Sequence, residues 1–275
     1  MSQGGGSPKS FAVIPYVPPT DPLAQEERTM SLRSQTIVVK QKWHQKGTGV
    51  GSAVWDAAFV LSHHLDVFFA HRLKGRKVLE LGAGVGLVSI AAALHGAEVT
   101  VTDSDEGVND IARENLALNL PPDILAKQTV LKYVWGNVTD EAALSPPYDI
   151  VLAADVVYAH KKEAFVPLIN AFLAMSNRPR TASNSSCSED SPPNHTLESK
   201  SEVQASRFLS ADWEANPDCL ILLCFRIRYD VQRVIFDLLA EHFTIKIIPP
   251  SKFQPDYQDA SLRLQLVHLR RKSSP

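Results

Sequence analysis

The apolar positions of this chain change their period repeatedly, and the changes mark out its elements. Between Thr36 and Lys42 the chain alternates loosely, Ile37 and Val39 against Val38 and Lys40, which predicts a strand. Gly47, Gly49 and Gly51 mark a turn. Val54, Ala58, Leu61 and Leu65 then recur at helical spacing. From Lys77 onward strand and helix patterns alternate. Short apolar runs predict strands over 77–81, 98–102, 128–134, 148–154, 219–225 and 243–248. Helices are predicted over 85–94, 106–119, 163–175 and 229–242. Gly96 ends the first of these four and Pro121-Pro122 the second, while Pro167 belongs in the opening turn of the third or kinks it. Leu262-Arg263-Leu264-Gln265-Leu266 alternates strictly, the pattern of a half-exposed strand at or near a sheet edge.

Strands that are apolar on both faces need cover on both faces, and a helix between successive strands supplies it. The expected fold class is therefore α/β, a doubly wound seven-stranded sheet. The last strand follows its predecessor without an apolar helix between, so those two are expected to be antiparallel, with one strand reversed. Residues 1–30, rich in Gly, Ser and Pro, are expected to form a mobile N-terminal arm, and residues 31–275 one domain. From about 176 to 216 the chain is dominated by Ser, Pro, Asn and Glu, with no aromatic residue before Phe208. Such a segment buries too little apolar surface to offset its ordering entropy, and we expect a disordered insertion within the domain.

Composition narrows the class further. The chain has 275 residues, 44% hydrophobic and 21% charged, which is a globular balance with ample material for a core. Its formal charge of −2 does not favour a nucleic-acid partner. No apolar run reaches the roughly 18–20 residues of a membrane span, and the first residues lack the plan of a signal peptide. Cys187, Cys219 and Cys224 form neither a disulfide framework nor a zinc pattern, so no metal site is assigned and a reducing compartment is expected.

The chemistry concentrates in four places. Glu80-Leu81-Gly82-Ala83-Gly84-Val85-Gly86 follows a strand and opens a helix. Its glycines permit a tight turn and close approach of backbone to a ligand, and the helix N-terminus adds N–H donors. Asp103 ends the next strand, where a carboxylate can accept from both hydroxyls of a ribose. Together they indicate an adenosine-containing cofactor. A dinucleotide fingerprint would place Gly or Ala where Leu87 stands, and a carboxylate at Glu80 suits a cation better than a pyrophosphate. S-adenosylmethionine, with its ammonium and sulfonium, fits that pattern. Ala154-Asp155-Val156-Val157-Tyr158 follows another strand, placing an acid and a phenol at the edge where such sheets bind ligands. Asp155 is also well placed to cap a following helix, a role that can coexist with one in the site. Trp55 and Trp135 read either as core residues or as cleft walls, Trp135 standing where an adenine would lie. Ser145-Pro146-Pro147-Tyr148 imitates a base-methylation motif but precedes its strand, so it is read as a turn.

These runs, with Val54-Trp55-Asp56-Ala57-Ala58, Val99-Thr100-Val101-Thr102-Asp103, Trp135-Gly136 and Arg226-Ile227-Arg228-Tyr229, resemble the seven-strand protein-lysine methyltransferases of methyltransferase family 16. The last run is similar to the subgroup containing the methyltransferase of the heat-shock-seventy chaperones. The resemblance implies a Rossmann-like class I methyltransferase. It implies S-adenosylmethionine bound through Trp55, Gly82, Ala83, Gly84, Asp103, Trp135 and Ala154, with Asp155 and Tyr158 beside the substrate lysine. It also implies a protein substrate, a chaperone or a translation factor among the candidates, and a monomeric enzyme of the cytoplasm, with the nucleus as a second location. A small-molecule or RNA methyltransferase, or an inactive binding module on the same fold, stands as the alternative.

Overall fold

The computed structural model describes residues 21–33, 35–43, 49–176 and 218–272. Residues 1–20 of the expected arm, nearly all of the expected insertion, and Gly47 therefore lie outside the described residues, whereas residues 21–30, also assigned to the arm, are ordered and contribute most of β1. The strands are β1 (Glu27–Ser31), β2 (Thr36–Lys40), β3 (Lys77–Leu81), β4 (Glu98–Asp103), β5 (Thr129–Lys132), β6 (Ile150–Ala154), β7 (Leu220–Arg226), β8 (Phe243–Ile248) and β9 (Leu264–Arg271). Among the described residues the α-helices are α1 (Asp56–His64), α2 (Leu87–Leu94), α3 (Glu106–Asn119), the short α4 (Pro122–Leu125) and α5 (Val138–Ala142), α6 (Val166–Met175) and α7 (Val234–His242). Pro167 stands in the first turn of α6, where its missing N–H costs no helical bond.

Seven strands form one sheet in the order β5-β4-β3-β6-β7-β9-β8. β5, β4, β3, β6 and β7 run parallel to their neighbours, and β9 is antiparallel to both β7 and β8. The sheet is thus the expected α/β sheet with one strand reversed. Side chains along the central strands alternate between two cores. Leu220, Leu222 and Cys224 point to the core made with α1, α2 and α3, whereas Ile221, Leu223 and Phe225 point to the one made with α6 and α7. Cys219 and Cys224 are both buried there as packing residues.

Two features depart from the expectation. The last strand is not half-exposed: Leu266, Val267 and Leu269 are fully buried, because β8 lies outside β9 and takes the edge. The alternation over 262–266 misleads because the strand begins at Leu264 and continues to Arg271; even its polar His268 is buried, 2.9 Å from His64 of α1, Nε2 to Nε2. Secondly, β1 precedes the first predicted strand and pairs antiparallel with β2.

That hairpin is latched onto the domain by two side-chain amides of α3. Asn115 accepts from the Lys40 N–H (2.8 Å) and donates to the Lys40 and Val85 carbonyls (3.0 and 2.9 Å). Asn119 accepts from the Val38 N–H and donates to the Val38 carbonyl (2.9 and 2.8 Å). The two amides stand in for a missing neighbour strand, while Ile37 and Val39 enter the core. Gln41 continues the latch. It donates to the Pro22 and Gln25 carbonyls and accepts from the Val54 N–H. Asn115→Ala would leave one donor and two acceptors of the backbone, partly buried at Lys40 and buried at Val85, without their partner. We expect a loss of about 2–3 kcal/mol and a thermal midpoint lower by about 5–10 °C. Thermal melting checks this, and an unchanged midpoint would show that the latch contributes nothing.

Candidate active site

The chain leaves β3, builds β4 and β5 to one side, then returns to place β6 on the other side of β3. Connections therefore diverge at the carboxyl ends of β3 and β6, and a crevice opens there. A cleft of about 560 Å³ occupies it. The nine residues expected at the site all line this cleft: Trp55; Gly82, Ala83 and Gly84; Asp103; Trp135; Ala154, Asp155 and Tyr158.

The glycine loop forms its floor. Gly82, Gly84 and Gly86 have φ of +67°, +55° and +88°. Space is as restrictive as conformation at two of them. A Cβ on Gly82 would lie 2.8 Å from Val156 Cγ1, and one on Gly84 would lie 3.0 Å from the carbonyl oxygen of Gly51. The 49–51 loop therefore closes directly over the glycine loop. Trp55 is tied to the same loop by donating from its indole N–H to the Val50 carbonyl at 2.9 Å. Its ring meets Trp43 edge-on, with centroids 5.7 Å apart.

Asp103 caps the turn from the neighbouring strand. Its carboxylate accepts from the N–H of Gly84 at 3.0 Å and of Asp105 at 3.3 Å. Burial nevertheless raises its pKa, the backbone donors opposing that only in part. Glu80 behaves differently from the expectation. It does not line the cleft. The side chain turns beneath the glycine loop and accepts from the Ser89 hydroxyl in full burial. Burial pushes its pKa up to about 8, with the charge of Asp103 adding in the same direction. A cofactor cation therefore does not meet Glu80; the residue braces the turn from β3 into α2.

At the other end of the cleft Asp155 takes a left-handed conformation, φ +57°, and its N–H donates to the Cys224 carbonyl at 2.8 Å. It does not cap a helix. Its side chain, 3% exposed, is held by Arg228 in a bidentate pair, Nη1 to Oδ1 at 2.8 Å and Nη2 to Oδ2 at 2.6 Å. Tyr158 stands half-exposed at the mouth. Burial raises its pKa, with the charge of Asp103 acting in the same direction, and both residues line the cleft.

Sequence reasoning did not assign Arg228, Tyr229, His160 or the 49–51 loop to the site, yet all of them line it. The His160 and Tyr229 rings meet at 4.3 Å. The available signal was Arg226-Ile227-Arg228-Tyr229, two arginines and a tyrosine placed at the end of an otherwise apolar central strand. The misleading Ser145-Pro146-Pro147-Tyr148 lies before β6, at the opposite end of the strand from the cleft.

Comparison with known proteins is decisive at the level of family. The model of the family described as "Lysine methyltransferase" matches residues 32–187. The chain belongs to this family. It is 44% identical over 131 residues to the mouse protein N-lysine methyltransferase METTL21A, a stretch covering 47% of this chain and 57% of that relative. It is 42% identical over 112 residues to the mouse EEF1A lysine methyltransferase 3, covering 40% and 45%. The matches thus span about half the length of these relatives. The solved structure of the Thermus thermophilus 16S rRNA N2 G1207 methyltransferase aligns with a TM-score of 0.52 at 12% identity, covering 90% of this chain and 50% of that one. That likeness shows the class I methyltransferase fold alone.

Glu80 supplies a pH test of the loop's foundation. Its pKa is raised in the folded chain to about 8, from 4.5. Its contribution to stability is therefore full below the unfolded value and is lost as pH rises through about 8. We expect the thermal midpoint to fall between pH 6 and 9, values taken as roughly bracketing that titration, and Glu80→Gln to flatten the fall. Parallel profiles for the two proteins would show that Glu80 is charged in its site.

Proposed function

We propose that this chain transfers a methyl group from S-adenosylmethionine to the side-chain amine of a lysine in a protein substrate. The observation that carries the reading is the convergence, in one cleft, of the glycine cradle, Asp103 and the Asp155–Tyr158 pair, in a member of the lysine methyltransferase family. Gly82, Ala83 and Gly84 line the cleft, and at the two glycines no side chain stands between the backbone and a ligand. Asp103 presents a partly buried carboxylate to the same space, the group a ribose diol needs. The residues present fit the cofactor.

When bound, S-adenosylmethionine supplies the electrophilic methyl carbon. We assign the adenosine end to Asp103 and Trp135, and the methionine end to Gly82, Ala83, Gly84, Trp55 and Ala154. Tyr158 and Asp155 form the acceptor end. Tyr158 offers an aromatic face to the lysine stem and to its cationic form. A lysine amine must lose its proton to attack, since its pKa in water is about 10.4. Enclosure by Trp55, Tyr158 and Tyr229 disfavours the charged form and favours the neutral amine. The protein's contribution is thus to orient the amine and exclude water.

A translation factor is one substrate class, supported by the relative named an EEF1A lysine methyltransferase. A chaperone is the other, supported by the similarity of Arg226-Ile227-Arg228-Tyr229 to that subgroup. A monomer acting in the cytoplasm remains part of the proposal. Among the described residues no helix is long and apolar enough to cross a membrane.

Labelled methyl transfer from S-adenosylmethionine into lysate protein tests the activity. We expect a discrete protein band whose label resides on lysine; label on RNA would favour the alternative class of acceptor. Asp103→Ala tests the cofactor assignment. Removing the carboxylate should weaken S-adenosylhomocysteine binding by about 1–3 kcal/mol, or roughly 5- to 150-fold. Calorimetry reads this directly, and native affinity in the folded variant would remove Asp103 from the site.

A further inference from the structure

We propose that Arg228 is a positioning residue for methyl transfer, holding Asp155 and Trp55 in the geometry that the acceptor end requires. The proposal rests on the methyltransferase reading above and adds to it a residue on a third strand connection.

Asp155 is a non-glycine residue in the left-handed region, an unfavourable conformation that persists only where its surroundings fix it. Three contacts fix it. Its N–H donates to Cys224 in continuation of the β6–β7 ladder, the Arg226 N–H reaches Oδ1 at 3.3 Å, and the Arg228 guanidinium takes both carboxylate oxygens. The same guanidinium lies over the Trp55 ring, 5.2 Å from its centroid, at the start of α1. Arg228 itself is anchored at the backbone. Its N–H and that of Tyr229 donate to Oε1 of the fully buried Gln232, at 2.6 and 3.1 Å.

One planar group therefore ties the carboxyl ends of β6 and β7 to the entrance of α1. Each oxygen of Asp155 already has a guanidinium partner, so this carboxylate is not a free counter-ion awaiting a lysine ammonium. Its work with Arg228 is to set the turn that carries the chain on to Tyr158 and to fix the wall opposite it. A lysine reproduces the charge of Arg228 but not the fork or the stacking.

The test compares Arg228→Lys, Arg228→Gln, Asp155→Asn and the Arg228→Gln/Asp155→Asn double variant with the wild type. S-adenosylhomocysteine affinity and thermal midpoint establish folding and cofactor binding. Single-turnover transfer of labelled methyl into lysate protein, at saturating S-adenosylmethionine, reads positioning. We expect Arg228→Lys to keep affinity within about threefold and to lose about 100-fold in rate, as a misplaced reactant does. The double variant should be no slower than the slower single variant, because the pair acts as one unit. A near-native rate in Arg228→Lys, or losses that multiply in the double variant, would overturn the assignment. A fall in affinity, midpoint and rate together in Arg228→Lys would reduce Arg228 to a structural residue. If Arg228→Gln does not fold, the Arg228→Lys rate decides. A wild type that binds no S-adenosylhomocysteine and transfers no methyl instead removes the methyltransferase reading, and this proposal with it.

Discussion

The carbonyl oxygen of Gly51 stands 3.0 Å from where a Cβ of Gly84 would be, and most of the candidate site depends on that closeness. Two irregular segments from distant parts of the sequence share one small space. The 49–51 loop forms one wall and carries Trp55; the glycine loop forms the floor and opens α2. Neither can shift without the other. The loop is fixed in turn by the hairpin, since Lys42 donates to the Ser52 carbonyl and Gln41 accepts from Val54. The latch of Asn115 and Asn119 onto β2 thus reaches the cleft through a continuous set of backbone contacts. A short N-terminal hairpin, remote from the sheet's own ladder, becomes part of the site's support.

Beneath the cleft the electrostatics are arranged around two acids of unlike surroundings. Glu80 has a hydroxyl donor and full burial, and it is held largely protonated at neutral pH. Asp103 has backbone donors and the open side of the cleft. Thr102, between the strands, donates to the Glu80 carbonyl at 2.6 Å rather than to either carboxylate. Keeping one acid neutral removes most of the repulsion that two adjacent carboxylates would suffer. It leaves Asp103 as the charge facing the ligand. This division could not be read from the order of residues alone, because both acids follow apolar strands and both precede glycine or turn residues.

What was legible in the sequence was whatever a period or a spacing encodes. Alternation to two cores made β6 and β7 apolar throughout, so the strands were visible, and the glycine run with Asp103 and Asp155-Tyr158 located the sheet edge that binds. What was not legible depended on partners far away in sequence. β1 is short, lies in a polar stretch and borrows its cover from β2 and from the body of the domain, so its own residues carried little signal. The last strand was misjudged because the alternation of Arg263 and Gln265 with leucines covers only its start, whereas β9 runs on to Arg271 through Val267, His268 and Leu269, which β8 and α1 cover. Arg228 was visible as a charge at a strand end, but its bond to Asp155 spans 73 residues and no local pattern reports it.

The reversed strand gains a purpose from these contacts. β6 lies between β3 and β7, and strands lie about 4.8 Å apart, so the two strands that lead into the glycine loop and the Arg228 turn are about 10 Å apart in the sheet. That interval sets the width between the cradle and the acceptor wall. It holds only if β7 cannot slide along β6. A parallel sheet ending at β7 would leave that strand paired on one side and exposed on the other. β9 pairs with it from Leu220 to Arg226 along its whole length, and β8 then takes the exposed position. Ile227 extends the arrangement, donating to the Arg263 carbonyl at 3.0 Å one residue before Arg228. Arg263 is itself in the left-handed region at the turn into β9, so this contact fixes where β9 begins. The register of an antiparallel pair thus fixes the height of Arg228 above the sheet, and through its fork the height of Asp155. The strand farthest along the chain thereby helps set a distance in a cleft whose floor is built from the first strand of the same sheet.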